Sequence, residues 1–292
     1  MKKLMFVAAA IAAGVAVADV TSANVVGYLN KTDAVQKYNF VTAPFRAING
    51  SAAEFNIQDI QVDASVTTGG AQLYILNADR KVDTTFQEKA HAWVRKADFT
   101  KYGITGFDDK NGVWAIQGGT LKAPTYTVPT LEKSVFSAGT GIQVYFTLAN
   151  KSFTFAGSVS DAQLAIPAVQ KYNFIGNCFP ADCDIRDIQM DETVTTGGAQ
   201  FYRLNADRKL DTTIQEKAYA WVKKSDFAKY GIVGREGDFG TWAIQGGTLK
   251  APTYTVPTTA EELTIKAGSA VQVYVTLANK TIYVNPTYTL AK

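Results

Sequence analysis

The chain has 292 residues, 47% of them apolar and 19% charged, with a formal charge of +3, two cysteines and one histidine. That apolar content is enough for real hydrophobic cores, and the length suits two ordinary domains. A near-neutral charge without a Lys/Arg cluster excludes the electrostatic footprint of a nucleic-acid binder, and plentiful Tyr, Phe, Thr, Val and Gly favour strands over long helices.

Lys2 and Lys3 precede an apolar run from Leu4 to Val17, and Ala16-Val17-Ala18 puts small residues where a signal peptidase reads. This pattern predicts a secretory signal over 1–18, cut before Asp19. The run falls short of the roughly 20 residues that span a bilayer. No cysteine follows the cut to carry a lipid, and no later stretch is apolar for long enough to span. Loss of Lys2 and Lys3 lowers the formal charge from +3 to +1. The expectation is an exported chain, outside the cell, at its surface or in the periplasm, with no membrane span once mature.

Residues 24–29 read as a first strand, with Gly27 marking a bulge or a close backbone approach. Residues 37–41 alternate aromatic and polar positions and read as a second. Residues 45–55 read as an exposed loop. Residues 72–76 are a strand after a Thr-Gly-Gly turn, and 77–81 a turn by composition. Residues 86–97 support two readings. As a strand, Ala90, Ala92 and Val94 face one way and His91, Trp93 and Arg95 the other. As a helix, Phe86, Ala90, Trp93 and Ala97 form one stripe. Thr85 and Glu88, like Thr213 and Glu216, then have capping-box spacing, and composition favours helix. Residues 114–117 form a short strand turned by Gly118-Gly119. Residues 122–130 are extended, and Pro124 and Pro129 make them an edge strand or a covering loop. Residues 142–148 and 152–155, joined by Ala149-Asn150-Lys151, read as the clearest hairpin.

The phrases VQKYNF, VTTGGAQ, LNADRK and WAIQGGTLKAPTYTVPT start at Val35, Val66, Leu76 and Trp114, and again at Val169, Val194, Leu204 and Trp242. Whole phrases match, so the chain is a tandem duplication: repeat domain 1 over 19–157 and repeat domain 2 over 158–292. A boundary strand near 153–159 is a candidate for sharing between them. Copy two is six residues shorter opposite the 45–55 loop. Units of about 130 residues are too large for solenoid repeats. They predict a mainly β chain of two tandem homologous β-sandwich or barrel-like domains, with room for one short helix in each.

Cys178 and Cys183 lie in copy two only, and in an exported chain a disulfide between them is expected, closing a loop around Pro180. His91, whose counterpart is Tyr219, reads as a surface or half-buried aromatic. No G-x-S-x-G motif offers a nucleophile. Recurrent carboxylates such as Asp59, Asp79 and Asp98 could supply a glycosidase pair but read as turn and cap residues. Residues 77–83 lack the ligands of a calcium loop, and the Gly-Gly pairs lack the G-K-[ST] of a phosphate loop. No catalytic residue, metal or cofactor is expected. Trp93 pairs with Trp221 and Trp114 with Trp242; such aromatics either fill the same core site twice or present platforms for sugar rings. Trp93 with Arg95, and Trp221 with Lys223, are the ligand-binding candidates.

The opening Thr21-Ser22-Ala23-Asn24-Val25-Val26-Gly27-Tyr28, the aromatic/Asn strand from Tyr38 to Phe45 and the Gly-rich strand from Ala138 to Phe146 resemble a group of secreted β-rich proteins from the Planctomycetes–Verrucomicrobia–Lentisphaerae bacteria. The resemblance implies an exported β-rich protein and brings no functional residues with it. The functional expectation is a non-enzymatic exported protein with a structural or adhesive role. The alternatives are a tandem carbohydrate-binding module, in which two tethered weak sites raise avidity, and a polysaccharide-active enzyme. Partners would be a polysaccharide, another surface protein or a further copy of the chain.

Overall fold

The computed structural model describes residues 26–290, apart from 33, 35, 48–53, 77–86, 121, 205–214 and 249. The expected signal, the segment 77–83 and the cap positions Thr85 and Thr213 lie outside the described residues. The first repeat runs through β1 (Val26–Lys31), β2 (Lys37–Val41), β3 (Glu54–Asn56), β4 (Ile60–Val62), β5 (Ala71–Leu76), β6 (Gln87–Arg95), the one-turn helix α1 (Phe99–Tyr102), β7 (Gly112–Thr120), β8 (Ala123–Thr127), the one-turn helix α2 (Leu131–Ser134), β9 (Val135–Ser137), β10 (Ile142–Phe146) and β11 (Phe153–Ser158). The second repeats the plan with β12 (Leu164–Ala168), β13 (Lys171–Gly176), β14 (Cys183–Asp184), β15 (Ile188–Met190), β16 (Ala199–Leu204), β17 (Gln215–Lys223), α3 (Phe227–Tyr230), β18 (Gly240–Thr248), β19 (Ala251–Thr255), α4 (Ala260–Leu263), β20 (Thr264–Ile265), β21 (Ala270–Val275) and β22 (Lys280–Val284). The chain is therefore mainly β, in two structurally similar tandem regions with short helices in each.

In repeat one a six-stranded sheet, ordered β2-β10-β5-β6-β7-β8, lies against a three-stranded sheet, β1-β11-β4. The core between them draws Leu73, Ile75, Trp93, Val144 and Phe146 from the larger sheet and Ile60, Val62, Phe153 and Phe155 from the smaller. Period-two alternation produces this: along β11 the positions of Phe153, Phe155 and Gly157 are buried and their neighbours half-exposed. Repeat two has the same two sheets, β13-β21-β16-β17-β18-β19 and β12-β22-β15.

Residues 87–95 are strand, so the helical reading of 86–97 fails. Trp93 points into the main core, while Val94 packs with Val113, Ala115 and Phe99 in a smaller cluster on the other side of the sheet. Burial on both sides outweighs the helical propensity of Ala, Glu and Lys. The short helix comes just after, at α1, closed by Gly103 at φ 65°, whose N–H bonds the Phe99 and Thr100 carbonyls. His91 is also inside, 1% exposed and paired across the ladder with Leu73. Its counterpart Tyr219 pairs with Phe201, so the second copy fills the same place with larger rings.

The expected hairpin of β10 and β11 is not one. β10 lies between β2 and β5, and β11 between β1 and β4. The turn at 147–151, with Asn150 at φ 55°, carries the chain from one sheet to the other. β11 bonds only within repeat one, and repeat two opens with its own β12, paired to β22.

The repeats meet through equivalent residues, Phe40 and its counterpart Phe174, and through Arg46, which copy two lacks. Phe40 and Leu76 pack with Phe174 and Ala270. The Thr42 N–H donates to the Gly268 carbonyl at 2.8 Å, and the Gly141 N–H to the Phe174 carbonyl at 2.8 Å. Arg46, 3% exposed, donates from Nη1 to the Cys178 carbonyl at 2.9 Å and sits 5.2 Å from the centre of the Phe179 ring. The loop expected to be exposed is instead buried at its described start, Phe45 to Ala47, where Arg46 reaches the other repeat. Its divergence has a physical cause: Arg46 enters the segment that corresponds to its own position in copy two.

The expected disulfide is absent. Cys178 and Cys183 are free and buried, with the Cys178 Sγ 3.8 Å from Arg46 Nη2 and Cys183 paired to Ile265 across β14 and β20. Both side chains are packed into the core of repeat two as free thiols. Burial pushes both thiols well above the ordinary cysteine range, and the thiolate is the reacting species. Native protein therefore resists a thiol reagent at pH 8 while the denatured chain takes up two equivalents. Prompt labelling of the native chain would contradict this burial.

Candidate functional site

Trp93 and Trp221 have no accessible surface. Each ring lies edge-on to its neighbour, Trp93 to Trp114 with centroids 5.1 Å apart and Trp221 to Trp242 at the same distance. The Trp114 indole N–H donates to the Ile60 carbonyl at 2.7 Å, and that of Trp242 to Ile188 at 2.6 Å. The four tryptophans are core, and no ligand reaches a ring face. Arg95 and Lys223, at the ends of β6 and β17, do reach the surface.

Around Arg95 the fold gathers residues that the sequence keeps apart. Its backbone N–H donates to Thr68 Oγ1 at 3.2 Å, and its Nε to Asp98 Oδ2 at 3.0 Å. Thr68 Oγ1 donates to the same carboxylate at 2.6 Å. One turn on, the Lys101 ammonium lies 4.9 Å from the centre of the Tyr102 ring, which meets Tyr126 edge-on at 4.7 Å and 78°. The second repeat reproduces the arrangement. Thr196 donates to Asp226 at 2.6 Å, Lys229 lies 4.9 Å from the Tyr230 ring centre, and Tyr230 meets Tyr254 at 4.7 Å and 78°.

Tyr126 comes from a hairpin that leaves the body of the protein. β7 is buried from Gly112 to Ala115 and exposed from Ile116 to Thr120. There it pairs only with β8, placing Gln117 opposite Tyr126 and Ile116 opposite Thr127. Gly119, expected to turn the chain, is instead still paired, opposite Pro124. Its φ of 74° and the 2.4 Å a Cβ would leave to the Ala123 carbonyl admit only glycine.

Around neutral pH this patch keeps Asp98 ionised and Lys101 protonated. The Thr68 hydroxyl and then Arg95 hold the Asp98 carboxyl below its usual range. The Tyr102 side chain holds Lys101 above its usual range, as Tyr230 does Lys229. Burial pushes Tyr126 and Tyr254 up.

Identity between the copies runs longest through this surface. Residues 114–130 equal 242–258 at every position, including Ile116, Gln117, Lys122, Thr125 and Thr127, whose counterparts are as exposed as they are. The adjacent loop 105–111 keeps only Gly106 among seven positions against 233–239. Exposed strand positions held identical while a neighbouring loop drifts mark a surface retained for contact. The sequence carried this signal; reading the aromatics by residue type pointed to the tryptophans instead.

Elsewhere, the cleft lined by Arg46, Asn56, Asp59 and Phe155 leaves about 10 Å³ of room, enough for about one water molecule and not for a small-molecule ligand. Among the described residues no group of three His, Cys, Asp or Glu side chains is placed to hold a metal ion, and no helix is long and apolar enough to cross a membrane. Scanning the chain against protein-family models finds no match, and searching curated proteins finds none.

Proposed function

We propose that this chain is a non-enzymatic exported protein with an adhesive role at the cell surface or outside the cell, acting through the two projecting hairpins, β7–β8 and β18–β19. The observation that carries this is the identity of two exposed surfaces in copies that have diverged around them. A core can demand the same residues twice, but nothing in the fold demands the same outward Ile, Gln and Thr side chains. Two equal binding surfaces on one chain cross-link or grip a repetitive partner with avidity beyond either site. The test is complementation of a deletion strain with wild type or with Ile116→Ser, Thr127→Ala, Ile244→Ser and Thr255→Ala combined. The wild type should appear outside the cell with Asp19 at its N-terminus and restore attachment. The variant should reach the same location and melt at the same temperature, yet leave attachment at the deletion level. Attachment equal to wild type would sink the proposal.

A further inference from the structure

We infer, building on that adhesive reading, that the ligand of the two patches is an anionic polysaccharide carrying uronate carboxylates or sulfate esters. Charge argues first. Between Arg95 and Thr130 the two copies keep four cationic positions: Arg95/Lys223, Lys96/Lys224, Lys101/Lys229 and Lys122/Lys250. They keep two acidic ones, Asp98/Asp226 and Asp108/Glu236, and Asp98 is already engaged by Thr68 and Arg95. Lys101 and Lys122 are exposed, as are Lys229 and Lys250. On a chain that is near neutral as a whole, each patch holds a local excess of positive charge, complementary to an anionic ligand.

The neighbouring chemistry selects a sugar polymer among anions. Tyr102 and Tyr126 are half-buried, joined edge to face, and bordered by an ammonium. Aromatic rings of this kind stack on the C–H faces of sugars, while a cation beside them meets an acidic substituent. Gln117 and Thr125 add hydrogen-bonding groups along the hairpin. The hairpin is ill-suited to taking up a strand from a second copy: Pro124, the second residue of β8, has no N–H to offer.

Titrating the intact mature protein with polygalacturonate, dextran sulfate, uncharged dextran and a double-stranded DNA fragment tests the inference. At least one of the two acidic polysaccharides should bind, weaken as salt rises from 50 to 200 mM, and keep its affinity from pH 6 to 9. Polygalacturonate alone would identify carboxylates as the recognised groups, and dextran sulfate alone sulfates. Lys101→Gln should weaken binding about tenfold and Lys101→Gln/Lys229→Gln about 100-fold, because avidity from paired sites is lost with the contacts; melting temperatures should not move. Dextran bound as well as the acidic polymers, or DNA bound more tightly than both, would overturn the ligand class. So would failure of both acidic polymers to bind. Any of these results with hairpin-dependent attachment intact removes the polysaccharide and leaves the adhesive role; attachment independent of the hairpins removes the adhesive role itself.

Discussion

Replacing Trp93 with Ala should destabilise the first repeat by about 3–5 kcal/mol, as truncating a buried aromatic does, and lower its melting midpoint by about 10 °C or more. The ring has no accessible surface, meets Trp114 edge-on at 5.1 Å, and has Gly112 against it, where even a Cβ would come within 2.4 Å of Trp93 Cζ2. Gly240 stands in the same relation to Trp221. Such interlocking leaves a truncated side chain as a void, because the sheet cannot close over it without shifting β7. Trp221→Ala should do the same to the second repeat. A ligand platform would behave in the opposite way, losing affinity and keeping its midpoint. Calorimetry of both variants is the measurement, and an unchanged melting midpoint in Trp93→Ala would refute the core assignment.

Legibility in the sequence followed burial. β5 was readable because it shows one face to a core, burying Ala71, Leu73 and Ile75 and leaving Gln72 and Tyr74 half-exposed; β2 was readable from its alternating residue types although Asn39, Phe40 and Val41 are all buried. Residues 91–94 are buried on both faces, which erases that contrast and leaves propensity to suggest a helix. The turn around Asn150 was visible, but a turn that reverses a hairpin and one that crosses between sheets draw on the same residues. The cysteine spacing allowed a bridge; what directs Cys178 elsewhere is Arg46, 132 residues earlier. Of the residues named from sequence, Arg95 and Lys223 lie at the surface, while Trp93 and Trp221 are buried. Tyr102 and Tyr126 recur visibly in both copies, but their pairing beside Lys101 was not legible, because contact between α1 and β8 requires β7 to be placed first.

Arg46 ties the two repeats together, and its removal should separate them. It is a buried cation whose described partners are a carbonyl, a thiol and an aromatic face rather than a carboxylate. Tyr288 lies in the same electrostatic neighbourhood: burial pushes its hydroxyl up to about 12 against the pull of Arg46, and it donates to the Ser160 carbonyl at 2.8 Å. Desolvating an uncompensated guanidinium is costly, so the contacts it makes must outweigh that cost if the interface is to hold. Arg46→Ala gives up a charge-assisted hydrogen bond and the contact with Phe179 while stranding a buried carbonyl, a loss of about 2–4 kcal/mol. That loss falls on the coupling between repeats rather than on either core. The wild type should unfold in one transition and Arg46→Ala in two. Cys178 should become reactive to a thiol reagent in the native variant, since the guanidinium that covers it is gone, while Cys183 stays protected between β14 and β20. Arg46→Met, which keeps the bulk and drops the donors, should fall between the two. Arg46→Met at or above wild-type stability would mean that apolar packing, not the guanidinium, holds the interface, and a single unchanged transition in Arg46→Ala would mean that the remaining contacts through Phe40, Phe174 and Gly268 suffice without it.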